Sequence, residues 1–591
     1  MISLETTGTR QAQSLAAFFP LLLLVGMVGC DGGRPATVPP APPATRTSMN
    51  PEDRDTARPQ PSVATINPAF VDVAPSLGID FTQHTDAVPN RYFLPEVMGS
   101  GIAWIDVDAD GWLDLFLANG CPLGPQSRVT ESTRCRLWLN RFGKRFEEVT
   151  GTSGAGISLY GQGCAVADFN ADGFDDLYLG GFGPDVLLRN QGDGTFIDVT
   201  ESAKVGDPEW TSSTLWIDVD GDGDLDLYAV NYLNLTFENH KICDYGGQAG
   251  YCGPGSYEGV DDRVYLNLGD GTFEEAAEAC GFRAANGKGL AIAAADFDDD
   301  RVPEIYVAND MTANFLFKKR PADQQSGPLY REVASESGCA VSGSGLNEAS
   351  MGISLADFDG DGRCDIYLTH YFHTKNTLYK NLGGLIFDDI SNWARVTATS
   401  HESLGFGTWP LDFDRDGDPD IFVSNGHVLG PHHQPNEMKP QILRNEGGMF
   451  SDISSTAGPY FQRLLLGRSV AACDYDHDGD VDLAVSHLNA PFSLLENRTP
   501  VEARPWIGVT FCTRDRRHPV GGTVVLKTDR ALRTIPITAG GSYLAAPDPR
   551  IVVAWPETER LESLEVHWPS GAVSRYAGST TGVYWSVFES R

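Results

Sequence analysis

The sequence predicts an all-β protein, a seven-bladed β-propeller followed by a small C-terminal β domain, and three observations predict it. An acidic nine-residue pattern, D-x-D-x-D-G-x-x-D, occurs seven times; short apolar runs flank each copy; and 64 glycines and 36 prolines among 591 residues suit many turns better than long helices. The chain is also longer than one core ordinarily supports, so a large domain with a smaller companion is expected.

The copies begin at Asp106, Asp168, Asp218, Asp296, Asp357, Asp412 and Asp474, spaced by 62, 50, 78, 61, 55 and 62 residues. Those spacings fit four-stranded blades carrying loop insertions. GIAWID precedes and LDLFLAN follows the first loop, and GISLAD and CDIYLTH bracket the fifth, so each copy reads as strand, tight loop, strand. A second recurring block, LWLNRFGKRFEEVT at 137–150, LLRNQGDGTFIDVT at 187–200, VYLNLGDGTFEEAA at 264–277 and LYKNLGGLIFDDIS at 378–391, reads as an outer hairpin. The last acidic loop is followed by LLEN at 494–497 and by no F-x-D-V-T strand, whereas FVDVAPSLGI at 70–79 matches the absent piece. The N-terminal strand is therefore expected to complete the last blade and protect its edge.

The domain plan follows. Residues 1–30 carry an apolar run ending in MVGC, resembling a secretory leader of the lipoprotein type in which Cys30 is lipidated; an ordinary cleaved leader would leave Cys30 incidental. Residues 31–66, rich in Pro, Thr and Ala, read as a disordered tether; 67–500 as the propeller; and 505–591, with alternating strand-like runs and Gly/Pro turns, as the small β domain. Elsewhere no stretch approaches the roughly 18 consecutive apolar residues of a spanning helix. Export is expected, to the cell envelope or outside the cell, with a membrane met only through an N-terminal lipid.

Acids outnumber bases 80 to 44, for a formal charge of −36, which disfavours nucleic acid as a partner and favours cations. Ca²⁺ takes six to eight oxygen ligands, and alternating Asp residues on a curled loop aim several carboxylates at one centre. The expected ligands are Asp106, Asp108, Asp110 and Asp114 in the first copy and Asp168, Asn170, Asp172 and Asp176 in the second. The third offers Asp218, Asp220, Asp222 and Asp226, and the fourth Asp296, Asp298, Asp300 and Glu304. The fifth has Asp357, Asp359, Asp361 and Asp365; the sixth Asp412, Asp414, Asp416 and Asp420; the seventh Asp474, Asp476, Asp478 and Asp482. Asn170 loses a charge, and the fourth copy puts Arg301 where Gly is expected, so about five to seven structural Ca²⁺ sites are expected, the fourth being the weakest. An EF-hand is disfavoured, because these loops lack its flanking helices and its Glu at position twelve.

The flanked loops GSGIAWIDVDADGWLDL and SMGISLADFDGDGRCDIYL resemble the FG-GAP/VCBS repeats of integrin α-chain propellers over about residues 70–500. In the tail, WIGVTFCTRDRRHPVGGTVVLKT and LEVHWPSGAVSRY resemble the ASPIC/UnbV domain, a combination found in the cartilage acidic protein family, with Gly-Gly-Thr where that family has Gly-Ala-Arg. The resemblance implies extracellular calcium-binding proteins associated with adhesion or matrix contact, and no established catalytic role for the tail.

Thirteen residues after each loop's first Asp stand Asn119, Gly181, Asn231, Asn309, His370, Asn425 and His487, with Asp310, His373 and His427 close by. These are expected to ring the face opposite the loops, as a ligand rim or as turn chemistry. Eight of twelve histidines fall between 370 and 487 without a metal-ligand spacing, and no catalytic fingerprint is present. Among the cysteines, Cys243 and Cys252 in one inserted loop are the best disulfide candidates, Cys121 with Cys135 second, and Cys164 and Cys473 read as buried thiols. The function expected is that of a non-enzymatic adhesion, scaffolding or ligand-binding module for a protein or glycan. The alternative is a carbohydrate-active lyase or hydrolase, or a lectin, using the face opposite the loops.

Overall fold

The computed structural model describes residues 68–124, 129–321, 327–488, 490–500, 504–513, 517–577 and 580–589. The leader, Cys30 and the tether lie outside them.

Among the described residues, seven antiparallel sheets follow one plan. In the first, Ile102–Ile105 runs into the acidic loop, Asp114–Leu117 runs out of it, and Arg136–Asn140 and Phe146–Glu148 form the outer hairpin. The innermost strands of the next six are Tyr160–Ala167, Thr211–Ile217, Gly289–Ala295, Ile353–Ala356, Gly405–Leu411 and Leu466–Cys473. The seventh sheet takes its outer strand from the chain's start: Phe70–Asp72 pairs antiparallel with Ser493–Asn497, Phe70 opposite Asn497. Because the missing strand is supplied from far away in sequence, no sheet in this set is left with three strands.

Seven apolar clusters fill the spaces between successive sheets. Ala103, Phe116 and Leu137 of the first meet Cys164, Leu177 and Leu188 of the second, and the series continues until Val470, Leu483 and Leu495 of the seventh meet Leu411, Phe422 and Ile442 of the sixth. The last gap joins seventh to first, where Trp104 and Trp138 pack with Ala471, Ala484 and Leu494. Inner strands approach one another so closely that side chains are excluded at chosen points. A Cβ on Gly163 would lie 2.5 Å from the Ser212 carbonyl oxygen, and one on Gly352 2.2 Å from that of Phe406, which accounts for glycine at these two positions.

An amide clasp joins neighbouring sheets. Asn140 at the end of the third strand donates Nδ2–H to the carbonyls of Leu113 in its own loop and Tyr475 in the preceding sheet's loop. Asn190, Asn267, Asn381, Asn445 and Asn497 reach back in the same way to Val107, Phe169, Phe297, Phe358 and Phe413. The fourth sheet has Lys319 at this position, and there the Tyr330 hydroxyl donates instead to the Val219 carbonyl at 3.3 Å.

The tail forms two further sheets over a core that includes Ile507, Val524, Trp555, Leu564, Trp568 and Val587. One holds Trp506–Cys512 between Ile551–Ala554 and Val583–Phe588; the other has Leu532–Pro536, Thr523–Thr528, Leu561–His567 and Val573–Tyr576 in that order. Between them residues 538–548 leave as a finger that enters the centre of the seven sheets. Ala539–Gly540 pairs with Ala293 and Ala294, and Ser542 exchanges backbone hydrogen bonds with Ile353 at 2.6 and 3.0 Å. Ala545–Ala546 runs parallel to Ile102 and Ala103, and Asp548 N–H donates to the Ala472 carbonyl at 3.0 Å. The finger thus pairs with inner strands of the fourth, fifth, first and seventh sheets.

Candidate functional site

Each acidic loop builds its own scaffold from the side chains that make it acidic. The first-position carboxylate closes the turn: Asp106 accepts from the Asp110 and Gly111 amides at 3.1 and 3.0 Å. The same pair of bonds recurs at Asp296, Asp357, Asp412 and Asp474. Such a turn needs left-handed backbone at positions four and six, as at Ala109 (φ 55°) and Gly111 (φ 87°). Arg301 takes the sixth position at φ 69° in the fourth loop, against the steric preference of a side-chain-bearing residue. The ninth-position acid staples loop to sheet. Asp114 accepts from the Val107 amide at 3.0 Å and the Asn140 amide at 2.7 Å, and Asp226, Asp365 and Asp420 do the same.

What remains points inward. In the first, third, fourth and fifth loops, one carboxylate oxygen from each of three acids lies within 4.8 Å of the others: Asp106, Asp108 and Asp114; Asp218, Asp220 and Asp222; Asp296, Asp298 and Asp300; Asp357, Asp359 and Asp361. Buried oxygens without a hydrogen-bond partner among the described residues include Oδ1 of Asp108, Asp298, Asp414 and Asp476 at the third position, and Oδ2 of Asp176 and Asp482 at the ninth. Burial first, then the adjacent carboxylates, pushes Asp114 and Asp176 up to about 8 and Asp226 and Asp365 to about 7. An all-oxygen set with unspent lone pairs and crowded charge could accept a hard divalent cation.

The loops are not equivalent. In the fourth, Lys318 Nζ lies against Asp298, Asp300 and Glu304, the latter two at 3.1 Å, filling the centre with a cation from the chain itself. Lys380 lies against Asp359 and Asp361 in the fifth. In the second, Asn170 spends Oδ1 on the Asp172 amide and Nδ2 on the Asp172 carboxylate, each at 3.0 Å.

The tail sits over this loop-bearing side. Arg517 pairs with Asp218 of the third loop, and the Tyr584 hydroxyl donates to Asp474 Oδ2 of the seventh at 2.8 Å. Arg504 donates to the Asp414 carbonyl in the sixth, and Arg550 Nη1 lies 2.9 Å from His477 Nε2, whose ring stacks on Trp112 at 4.0 Å. Within the finger, Tyr543 is fully buried and donates to the Met98 carbonyl at 2.9 Å. Near it the buried Arg468 guanidinium donates to the carbonyls of Val97, Gly426, Gly467 and His427 and lies 4.1 Å from the Phe406 ring centroid; burial pushes its pKa down to about 9. Sequence reasoning missed this hub, since TAGGSYLAAPD reads as an ordinary turn.

At the opposite end the expected rim residues, exposed His373 apart, are turned into the fold. Asn119 receives the His84 amide and donates to Ser132 and Arg134 carbonyls; Asn231 is held by Asp207 and Asp262; Asn309 by Lys288, Ala313 and Asn314. Asn425 donates to the Lys439 carbonyl and Gln441, and His487 lies between the Tyr460 hydroxyl and the Pro491 carbonyl, 2.8 Å from each. Asp310 accepts from Tyr232 at 2.6 Å, His427 Nδ1 accepts the Val428 and Leu429 amides, and buried His370 lies 3.3 Å from Glu348. All of these are buried, and most of their polar groups are spent inside the fold, the ring nitrogens of His370 and Oδ1 of Asn425 being without a hydrogen-bond partner among the described residues. Cys243 and Cys252 form the expected disulfide. Cys121 and Cys135 are free thiols, correcting the second pairing: Cys135 is sealed within the first-to-second cluster while Cys121 Sγ is turned to the Pro122 carbonyl.

Comparison with known proteins fits this repeated geometry. FG-GAP-like repeats are matched at 106–179, 168–229, 252–307, 357–423 and 412–485, and ASPIC and UnbV at 512–591. The chain belongs to the FG-GAP-like repeat family with an ASPIC and UnbV tail. This FG-GAP repeat protein is related to cartilage acidic protein 1 of Xenopus tropicalis, 24% identical over 528 residues that cover 83% of this chain and 74% of the relative. Its human counterpart is 26% identical over 530 residues, 84% and 73% of the two chains. Among solved structures, a lectin of Agrocybe aegerita that recognises non-reducing terminal N-acetylglucosamine aligns with a TM-score of 0.35 and 15% identity over 61% of this chain and 87% of its own. A BBS1N chain from a complex with ARL6DN aligns with a TM-score of 0.36 and 9% identity, over 71% and 99%.

Proposed function

We propose that this FG-GAP repeat protein is an exported, closed seven-bladed β-propeller, loaded with structural calcium, that serves as a non-catalytic adhesion, scaffolding or ligand-binding module for a protein or glycan. The observation that carries the reading is the set of buried, unpartnered carboxylate oxygens at the third and ninth loop positions. In a folded interior such atoms are costly, and a divalent cation satisfies several at once. The first loop would hold Ca²⁺ through Asp106, Asp108, Asp110 and Asp114, and the others through the corresponding residues. Bound metal would hold the loops in the shape that the sheets require and offset their mutual repulsion. The relatives called cartilage acidic protein support the binding role, and the leader and lipid-type Cys30 support export.

The test is a calcium titration of residues 65–591, which form one compact unit, read by calorimetric stoichiometry and by melting with and without chelator. About five or more sites per chain and a marked chelator-induced loss of stability are expected, since each site at a hundredfold excess over its Kd contributes about 2.7 kcal/mol. Zero or one site with unchanged melting would overturn the reading.

A further inference from the structure

We propose that His373, His401 and Glu402 form a surface site for one divalent transition-metal ion of the zinc, cobalt or nickel class, on the side of the sheets opposite the acidic loops. Each residue offers one ligand atom, and the three atoms lie within 4.8 Å of one another. Zinc binds imidazole nitrogen and carboxylate oxygen at about 2.0–2.2 Å, so modest rotations of exposed side chains bring this set onto a common centre.

The backbone already joins the two segments that carry the ligands. His373 lies in the turn after Asp365–Leu368, and His401 and Glu402 follow the short helix Val396–Ser400. The His373 amide donates to the His401 carbonyl at 3.2 Å. The turn is anchored beneath: the Thr374 amide closes it onto the Tyr371 carbonyl, and buried Ser400 accepts the Asn376 amide at 2.9 Å. His373 takes a left-handed backbone, φ 62°, and its ring is packed on Phe372 with centroids 3.8 Å apart. The two imidazole centroids are 5.4 Å apart.

All three side chains are exposed, and among the described residues none has a hydrogen-bond or ion-pair partner. That distinguishes them from the rim histidines, where His487 and His427 have spent ring nitrogens inside the fold. It also distinguishes Glu402 from Asp298 and Asp359, which already face lysines. Donor chemistry separates the two kinds of site: seven all-oxygen loops suit Ca²⁺, whereas two imidazoles and one carboxylate favour a borderline transition metal and leave coordination positions open to water or to a donor from another molecule.

The experiment uses residues 65–591 saturated with Ca²⁺, so that the acidic loops are occupied, and titrates Zn²⁺ by calorimetry and Co²⁺ by its visible absorption. One equivalent with mixed nitrogen and oxygen ligation is expected. His401→Ala and Glu402→Gln should each weaken binding at least about tenfold, and His373→Ala with His401→Ala should abolish the site. The exposed positions make folding of these variants checkable by melting without Zn²⁺, which should match the parent. Absence of saturable binding up to about 100 µM metal, or retention of the same equivalent in the double variant, would overturn the proposal.

Discussion

Asn381→Ala isolates the clasp between the fifth and fourth sheets. The substitution removes Nδ2 donation to the Phe297 carbonyl at 2.8 Å and the Cys364 carbonyl at 3.1 Å, and the acceptor for the Gly383 amide at 2.9 Å. Gly383 lies near the surface, where water replaces the lost acceptor, so the cost falls on the two enclosed carbonyls. A buried polar group left without a partner costs about 1–3 kcal/mol, which sets the expected destabilisation at about 3 kcal/mol. Urea unfolding of the calcium-saturated protein, followed by tryptophan fluorescence and by circular dichroism in parallel, measures it. A shift of the midpoint with unchanged slope is expected, because the clasp affects the folded state more than the surface exposed on unfolding. A loss below about 1 kcal/mol would refute the reasoning, since it would mean that these carbonyls are satisfied without the amide.

Replacing Lys318 by Gln withdraws the ammonium from Asp298, Asp300 and Glu304, and is expected to raise the calcium stoichiometry by one; an unchanged count would show that Lys318 is not what keeps the fourth loop from binding. Burial, with Arg463 nearby, holds His487 down at about 4. Its unfolded value is about 6.5, so the unfolded chain binds the proton first and stability is lost as pH falls from about 6.5 toward 4, by up to about 3 kcal/mol. His487→Gln should flatten the stability–pH curve in that window relative to the parent, and identical slopes would dismiss the contribution.

Repetition made the architecture readable. One D-x-D-x-D-G-x-x-D turn has many explanations, but seven in register between apolar runs specify strand, loop, strand each time, and the missing outer strand after LLEN leads to FVD at the chain's start. The disulfide was readable because Cys243 and Cys252 share one short insertion. The clasp was visible but unread: LWLN, LLRN, VYLN, LYKN, ILRN and LLEN all end in the amide that reaches the neighbouring sheet. Most of the rim side chains turn inward, and for a physical reason. A polar residue at a strand end satisfies its own hairpin before it faces solvent, as Asn231 and His487 do. The finger gave no local signal at all, because its partners at Ala293, Ile353 and Ile102 are hundreds of residues away and become acceptors only once the inner strands have converged. His373 and His401 lie too far apart in sequence to register as a ligand pair.

The finger also imposes an order on biosynthesis. Residues 70–500 are synthesised before 538–548, so inner strands that gather during synthesis do so around an empty hub with the Ile353 amide and carbonyl still lacking Ser542. The N-terminal strand meanwhile waits for Ser493–Asn497 before it can be paired. Both distant segments thus act as keystones, and a chain ending near residue 500 lacks the strand partners that Ala539–Gly540, Ser542 and Ala545–Ala546 give the inner strands.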